Sequence, residues 1–217
     1  MTTTLSGPAI VPRNGEAPRR IVVLLHGYGS DGSDLIALGR HWSADMDETL
    51  FVAPNAPAPC AINPGGYEWF PLSGDRIAGR IAGTEQAAPV IRDFLDALWA
   101  QTGLGPEHTV LAGFSQGAMM ALTVGTAMEK RLKGIIAFSG AFIPAPGFDD
   151  GGFARPPVLL VHGDSDQVVD PQLSHDAETE LRAAGFEVSL HVSPGTGHGI
   201  SPDGLAVATA FLLGQGV

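Results

Sequence analysis

The sequence predicts an α/β fold, with a mostly parallel central sheet and helices on both of its faces. Short apolar runs alternate with helix-forming runs along the 217 residues. Each apolar run has the length of a strand and is followed by a turn, which is typical of strands that are buried on both faces. Because strands that alternate with helices form βαβ units, their sheet is expected to be parallel.

The first half of the chain is predicted to contain two strands and two helices. Residues 21–25, an Ile-Val-Val-Leu-Leu run before a glycine-rich turn, form the first strand. Residues 34–42 are predicted to be helical, and residues 50–53 form the second strand. Residues 54–80 are rich in Pro, Gly and Ala and are predicted to be the longest irregular segment, which is usually functional in a compact domain. Residues 85–99 form the clearest amphipathic helix, with an apolar side that packs on the core.

The second half of the chain continues the alternation. Its strands are apolar runs of five or six residues, namely 109–114, 134–139, 158–162 and 188–192. Its helix-forming runs are 118–130, 173–184 and 205–213. The chain shows no internal repeat and no linker-like segment, so residues 1–217 are predicted to form a single domain without a large cap domain.

The composition narrows the classes of function. The net charge of −11, from 23 acidic and 12 basic residues, disfavours binding to nucleic acid or to an anionic membrane surface. Cys60 is the only cysteine, so no intrachain disulfide forms, and its thiol is predicted to be inert in a reducing compartment. Residues 1–14 lack the pattern of a signal peptide, and no apolar run has the length of a bilayer span. We therefore expect a cytoplasmic protein without a stable membrane anchor.

A serine framed by two glycines, Gly113-Phe114-Ser115-Gln116-Gly117, stands between a predicted strand and a predicted helix. In such a sharp turn the hydroxyl projects from the backbone, and the glycines remove side chains that would clash as the chain reverses. This G-x-S-x-G pattern is typical of a nucleophilic serine. Since a pattern with two fixed glycines also recurs by chance, the alternative is that Ser115 is the N-cap of the following helix.

Two later turns contain the partners that a nucleophilic serine needs. The turn after the fifth predicted strand contains three carboxylates, Asp164, Asp166 and Asp170, and the glycine-rich turn after the sixth contains His198. Since the carboxyl ends of parallel strands share one edge of the sheet, these side chains are expected to lie near Ser115. The histidine would take the serine proton, and a buried carboxylate would hold the imidazole in the required tautomer. These residues alone leave open which carboxylate does so.

The other histidines have structural interpretations. His26 and His162 each end a predicted strand before a glycine, and they are expected to brace loops through hydrogen bonds. The remaining four lie in polar or helical contexts or within a strand pattern, which favours a surface or packing role: His41, His108, His175 and His191. Among the histidines, His198 is the one placed in a glycine-rich loop between the last strand and the last helix.

Further motifs occur from one end of the chain to the other. They are Leu25-His26-Gly27-Tyr28-Gly29, Pro54-Asn55-Ala56-Pro57, Trp69-Phe70, Gly113 to Ala118, His162-Gly163 followed by Asp166 to Val169, and Gly197-His198. With these motifs the chain resembles the phospholipase/carboxylesterase family of α/β-hydrolases, which includes the acyl-protein thioesterases. The resemblance implies an α/β-hydrolase fold and esterase activity. It also implies that Ser115 is the nucleophile, Asp166 the acid and His198 the base.

An oxyanion hole needs two backbone N–H donors, one from the residue after the nucleophile and one from an early loop. Gln116 would supply the first, at the positive end of a helix. The resemblance implies that the N–H of Tyr28 supplies the second. The alternative interpretation of the His-Gly-Tyr-Gly run is an ordinary strand-to-helix turn, and its spacing differs from that of phosphate-binding loops.

The chain departs from the family pattern at two places. Many members have His-Gly-Leu-Gly-Asp where this chain has Tyr28 and Ser30, and many have an acidic residue where this chain has Pro71. Both departures lie where they would reshape the pocket for the acyl group. Trp69 and Phe70, in the long loop, are predicted to form an apolar wall of that pocket, and the alternative is that they anchor the loop on the core.

The resemblance implies a serine carboxylesterase that hydrolyses short- to medium-chain acyl esters through an acyl-enzyme intermediate. Its substrate would be a small-molecule ester or a lipid-like compound. Lysophospholipase or acyl-protein thioesterase activity is the alternative among enzymes, and a catalytically inactive binding module of the same fold is the alternative outside them. No cofactor is implied, and no metal site is expected because no His, Cys or Asp cluster has ligand spacing. The chain is expected to be a monomer or a homodimer.

Overall fold

A computed structural model describes residues 5–72, 76–148 and 151–215. The strands of these residues are β1 (Ala9–Ile10), β2 (Arg20–Leu25), β3 (Thr49–Val52), β4 (Ala58–Cys60), β5 (Asn63–Glu68), β6 (Thr109–Phe114), β7 (Gly134–Phe138), β8 (Val158–Gly163) and β9 (Val188–Ser193). The helices are α1 (Gly32–Trp42), α2 (Arg76–Thr102), α3 (Gln116–Gly125), α4 (Gln172–Ala183) and α5 (Pro202–Leu213).

Within the described residues, seven strands form one sheet in the order β1-β3-β2-β6-β7-β8-β9. Neighbouring strands are parallel throughout, apart from the antiparallel pair of β1 and β3 at one edge. The predicted mostly parallel sheet is therefore confirmed. β1 is an addition that the sequence does not reveal, because two residues are too few to form a pattern.

Helices cover both faces of the sheet, as predicted. The alternation along β2 shows why: Ile21, Val23 and Leu25 pack in a core with α2, α3 and α4, whereas Val22 and Leu24 pack with α1 and α5. All five side chains are buried. Burial of an aliphatic side chain contributes about 2 kcal/mol, so such a strand is stable only when both faces are covered. No helix of the described ranges is long and apolar enough to cross a bilayer.

The prediction that residues 54–80 are irregular is wrong for much of this segment. β4 and β5 form an antiparallel hairpin here, and α2 begins at Arg76. The hairpin contains two glycines and two prolines, whose low strand propensity conceals it in the sequence. Contacts with the loop after β2 stabilise it: the N–H of Gly29 donates to Tyr67 O at 2.9 Å, and the N–H of Tyr67 donates to Ser30 O at 2.8 Å. Residues 73–75 lie outside the described ranges.

α3 differs from the prediction at both ends. It begins at Gln116, because the turn at Ser115 leads directly into the helix, and it ends at Gly125 rather than at residue 130. Gly125 lies against β7, where a Cβ would approach the Ile135 side chain to 2.6 Å. The hydroxyl of Thr126 then donates to Leu122 O at 2.7 Å. Thr126 is the C-cap residue of the helix, and its N–H group also donates to Leu122 O.

Candidate active site

Four loops meet at the carboxyl edge of the sheet. In the sheet, β3 lies on one side of β2 and β6 lies on the other side. The order of the strands therefore reverses direction between β2 and β6, and a crevice forms at such a switch point in parallel α/β sheets. Ser115 follows β6, and the loop of Tyr28 follows β2. Asp166 follows β8 and His198 follows β9. The residues predicted from the sequence thus all lie at this edge.

Ser115 has a strained backbone, with φ of 53° and ψ of −114°. Such conformations cost about 1–3 kcal/mol in residues with a side chain and cluster at functional sites. The turn also brings backbones close together, because a Cβ at Gly113 would collide with the Gly117 carbonyl, and a Cβ at Gly117 with the Leu25 carbonyl. Ser115 occupies the N-cap position of α3, but its hydroxyl forms no capping hydrogen bond. Its hydroxyl is thus free for another partner.

The close packing at Gly117 leads to a prediction about stability. Gly117→Ala is expected to destabilise the fold by about 3 kcal/mol, because the new methyl group meets rigid backbone atoms of β2 rather than a flexible side chain. Gly65→Ala is the matched control, since its Cβ would meet only the Asn63 side chain, at 3.9 Å. The measurement is the free energy of unfolding in urea. Equal values for the two variants would contradict the close approach at Gly117.

An unbroken chain of hydrogen bonds links three of the predicted side chains. His198 Nε2 lies 3.0 Å from Ser115 Oγ, and His198 Nδ1 lies 2.7 Å from Asp166 Oδ2. The Phe114 ring packs beside the imidazole, with the ring centres 4.9 Å apart. Since a carboxylate accepts hydrogen bonds, Nδ1 bears the hydrogen and Nε2 faces the serine hydroxyl as an acceptor. This arrangement suits removal of the serine proton.

Asp166 is buried but stays ionised. Burial alone would raise its pKa, yet the hydrogen bond from His198 and those from the N–H groups of Val169 and Val168 outweigh burial, so the pKa is lowered. The two N–H groups donate to Oδ1 at 3.0 and 2.8 Å. Because a negative carboxylate is thus present at neutral pH, Asp166 is suited to orient His198 and to stabilise its imidazolium form.

The other two carboxylates of this turn have different partners. Asp164 Oδ1 accepts from the N–H of Gly195 at 2.7 Å. Asp170 Oδ1 accepts from the N–H of Gln172 at 2.9 Å, at the start of α4. Among the three candidates for the acid, the structure brings Asp166 to His198.

Hydrogen bonds of His26 hold the loop after β2 close to the serine. His26 is fully buried, its Nδ1 lies 2.8 Å from Gly27 O, and its Nε2 lies 3.0 Å from the N–H of Ala56. The Gly27 carbonyl only accepts, so Nδ1 bears the hydrogen. In a trans peptide the N–H points opposite to the carbonyl, so the Tyr28 N–H points away from His26. A Cβ at Gly27 would lie 3.5 Å from Ser115 Cβ, which shows how close this loop comes to the serine.

Comparison with known proteins identifies the family. Residues 6–214 match the phospholipase/carboxylesterase family. The chain belongs to this family. It is accordingly a serine hydrolase of the α/β-hydrolase fold that acts on carboxylic esters. This assignment replaces the alternative of a catalytically inactive binding module.

Individual relatives agree with this assignment to the phospholipase/carboxylesterase family. The crystal structure of esterase PE8 is 53% identical, covers 97% of this chain and 99% of its own, and superposes with a TM-score of 0.93. Acyl-protein thioesterase 1 of Gibberella zeae is 29% identical, with 89% of each chain covered. Esterase YpfH of Escherichia coli K12 is 27% identical over 88% of this chain and 81% of its own. The part of the chain that matches the family, residues 6–214, includes the turn at Ser115.

The Gln116 side chain, which the sequence did not single out, clamps the loop that contains Trp69 and Phe70. Gln116 Oε1 accepts from the N–H of Trp69 at 2.9 Å, and its Nε2 donates to Phe70 O at 2.7 Å. The Trp69 indole in turn donates to His26 O at 2.9 Å. Trp69 and Phe70 are only 3% and 2% exposed. The structure thus places both as anchors of their loop, and their contact with an acyl group stays a prediction.

The Tyr28 side chain points to the β4–β5 hairpin. Its hydroxyl interacts with the Cys60 thiol and the Glu68 carboxylate, and these contacts together with burial raise the pKa of the phenol. Cys60 itself is buried and has no disulfide partner. The side chain of Tyr28, at which the chain departs from the family pattern, thus connects the loop after β2 to the hairpin.

A second polar network brackets the loop of His198. The hydroxyl oxygens of Ser201 and Ser193 lie 2.7 Å apart, and this contact joins the end of β9 to the start of α5. Asp203 Oδ2 lies 2.8 Å from His191 Nε2. Hydrogen bonds from Ser201 and His191 lower the pKa of Asp203 well below its ordinary value. No sequence pattern indicates this network, because its members come from two elements that meet only in the fold.

The network predicts a pH dependence of stability. A carboxyl group whose pKa is lowered by folding contributes stability above about pH 4, and this contribution is lost as the pH falls further. Asp203→Asn is therefore expected to destabilise the protein at pH 7 and to have a smaller effect near pH 3. Asp45→Asn, at an exposed site, is the control. Urea unfolding at both pH values measures the effect, and an equal cost at the two would refute it.

Within the described ranges, no group of three or more His, Cys, Asp or Glu residues is arranged to hold a metal ion.

The backbone and hydroxyl of Ser139 form a further feature that the sequence does not predict. Ser139, directly after β7, has φ of 50° and a buried hydroxyl without a hydrogen-bond partner in the described structure. It stands beside Ser115 at the carboxyl edge, where the Ser115 N–H donates to Phe138 O.

Proposed function

We propose that this esterase hydrolyses short- to medium-chain acyl esters through an acyl-enzyme on Ser115. His198 is the base, Asp166 orients it, and the N–H groups of Tyr28 and Gln116 bind the oxyanion. The observation that supports these roles is the unbroken hydrogen-bond chain from Ser115 Oγ through His198 to Asp166 Oδ2, at 3.0 and 2.7 Å.

The proposed reaction has two half-reactions. Ser115 Oγ attacks the ester carbonyl while its proton passes to His198 Nε2, and the carbonyl oxygen becomes an oxyanion between the two N–H groups. The C–O bond to the alcohol then breaks, and the alcohol leaves with the proton from His198. Water attacks the acyl-enzyme in the same manner, which releases the carboxylic acid and restores the serine. Each oxyanion-hole donor contributes roughly 3 kcal/mol to such transition states.

Acyl-protein thioesterase or lysophospholipase activity is the second candidate. It is favoured by the similarity to the acyl-protein thioesterase 1 of Gibberella zeae. The greater identity to esterase PE8 favours simple esters. The candidates share the same residues at the sheet edge and differ in the pocket for the acyl group, so the choice depends on the loops near Tyr28 and Trp69.

A series of p-nitrophenyl esters from acetate to palmitate, with Ser115→Ala as control, tests the proposal. We expect the maximum of kcat/KM at short or medium chains and no enzymatic rate in the variant. A maximum at palmitate, or faster cleavage of an S-palmitoyl peptide than of any ester, would favour the second candidate. Equal rates for wild type and variant would overturn the proposed role of Ser115.

The proposal also covers the domain organisation, the substrate class, the location and the oligomeric state of the protein. We propose that residues 1–217 form a single domain. One sheet that includes strands from residue 9 to residue 193 supports this proposal. The substrate is a small-molecule or lipid-like ester rather than a nucleic acid, consistent with the net charge of −11. We propose a cytoplasmic monomer or homodimer, and light scattering on the purified protein distinguishes the two states.

A further inference from the structure

A second histidine contacts the carboxylate of Asp166. His162 lies at the end of β8, and the side chains of His162 and Asp166 are both 0% exposed. His162 Nε2 lies 3.0 Å from Val169 O and 3.3 Å from Asp166 Oδ2. Because a carbonyl oxygen only accepts hydrogen bonds, Nε2 bears a hydrogen and donates it to Val169 O, which places this polarised N–H group beside Asp166 Oδ2.

The N–H group of His162 adds a fourth positive partner beside the carboxylate of Asp166. Oδ1 accepts from the N–H groups of Val168 and Val169. Oδ2 accepts from His198 Nδ1 and also faces His162 Nε2. A carboxylate has about four lone-pair positions; three of them accept hydrogen bonds here, and Oδ2 also lies 3.3 Å from His162 Nε2. The carboxylate therefore cannot rotate without breaking hydrogen bonds on both of its oxygens.

The other edge of the His162 ring is fixed as well. Its Nδ1 lies 2.6 Å from the hydroxyl oxygen of Ser174, a buried residue of α4. Val169, whose carbonyl accepts from His162, also donates its own N–H to Asp166. His162 therefore connects α4 to the turn that contains the acid, with both ring nitrogens engaged.

We propose that His162 is a positioning residue for catalysis, and the inference rests on the proposed roles of Ser115, Asp166 and His198. With its polarised Nε2–H group 3.3 Å from Oδ2, His162 stabilises this oxygen in its position toward His198 and offsets part of its negative charge. Without that hydrogen, Val168 and Val169 still hold Oδ1, but His198 faces the whole negative charge of Oδ2. Its imidazolium form is then stabilised, and a smaller fraction of His198 is able to accept the serine proton at a given pH.

The titratable groups around this carboxylate make the pH dependence interpretable. In the described ranges, His162 from β8 and His198 from the loop after β9 are the titratable side chains that contact Asp166. Asp164 and Asp170, at the two ends of the same turn, bind backbone N–H groups instead. A shift of the pH profile in a His162 variant therefore reports on the pair of Asp166 and His198.

His162→Asn and His162→Gln form a matched pair of variants. The amide nitrogen of glutamine reaches the position of Nε2, whereas the amide of asparagine reaches only the position of Nδ1, near Ser174. With p-nitrophenyl butyrate we expect the Asn variant to lose about tenfold to a hundredfold in kcat with little change in KM. The acid limb of its kcat/KM profile is expected to move to higher pH. The Gln variant is expected to retain most of the kcat and the wild-type profile.

Ser174→Ala controls for a merely structural role of this cluster. It removes the partner of Nδ1 but leaves the Nε2 hydrogen between Val169 and Asp166, so Tm should fall while the pH profile stays in place. The proposal is overturned if His162→Asn keeps the wild-type kcat and profile, if the Gln and Asn variants lose activity equally, or if Ser174→Ala moves the acid limb as far as His162→Asn does.

A measurement on the wild type does not depend on the folding of any variant. ¹⁵N NMR of the imidazoles is expected to show a hydrogen on His162 Nε2, and a hydrogen on Nδ1 alone would contradict the proposal. Failure of the proposed function is visible separately, because the wild type would then cleave no ester faster than Ser115→Ala does.

Discussion

Replacement of Ser115 by alanine is expected to lower kcat for p-nitrophenyl butyrate by about a millionfold. Alanine lacks the oxygen that lies 3.0 Å from His198 Nε2, and no other hydroxyl of the described residues forms a hydrogen bond with this imidazole. Without this oxygen, no acyl-enzyme forms, and the proposed oxyanion-hole N–H groups and substrate binding are the remaining sources of rate enhancement. The release of p-nitrophenolate under saturating substrate measures the effect.

Further variants separate loss of the nucleophile from loss of the fold. His198→Ala is expected to lose about as much kcat as Ser115→Ala, and the double variant no more, because the residues act as a unit. Ser115→Gly is expected to be inactive too, yet more stable than Ser115→Ala by about 1 kcal/mol, since glycine adopts a φ of 53° without strain. A Ser115→Ala enzyme within about tenfold of wild type would place the nucleophile elsewhere.

Much of the candidate site follows from the sequence because a parallel sheet gathers its strand ends at one edge. The order of strands and turns suffices to bring Ser115 and His198 together. It does not distinguish Asp164, Asp166 and Asp170, which lie within one turn of seven residues. Only the path of the backbone decides which carboxylate points to the histidine, so the choice of Asp166 required the resemblance to the family.

The features that the sequence does not predict depend on contacts between distant segments. The β4–β5 hairpin forms from residues of low strand propensity because its backbone pairs with the loop after β2. α3 ends at Gly125, which packs closely against the Ile135 side chain of β7. In the hairpin, tertiary pairing overrides the local preference of the chain, which a pattern of apolar residues does not report.

The Gln116 side chain shows how such contacts bear on chemistry. Its backbone N–H belongs to the proposed oxyanion hole, while its amide group fixes the backbone of Trp69 and Phe70. Trp69 donates in turn to the carbonyl of His26, which holds the other oxyanion loop. These hydrogen bonds thus connect the loop of Trp69 and Phe70 to both segments that contain the proposed oxyanion donors.

Asp166→Asn is expected to lower kcat by about ten-thousandfold at neutral pH, although Ser115 and His198 are still present. The N–H groups of Val168 and Val169 need an acceptor, so the amide oxygen would take the position of Oδ1. The NH₂ group would then stand at the position of Oδ2 and donate to His198 Nδ1. The imidazole hydrogen would move to Nε2, which then faces the serine hydroxyl as a donor and cannot take its proton.

The neighbouring carboxylates supply matched controls for this variant. Asp164→Asn and Asp170→Asn remove a charge from the same turn without touching His198, and their kcat is expected to stay within about threefold of wild type. Asp166→Asn should also flatten the acid dependence of stability, because the lowered pKa of Asp166 contributes stability above about pH 4 that is lost as the pH falls. A loss of kcat in Asp164→Asn as large as in Asp166→Asn would instead assign the acid to a carboxylate that binds the Gly195 N–H in this structure.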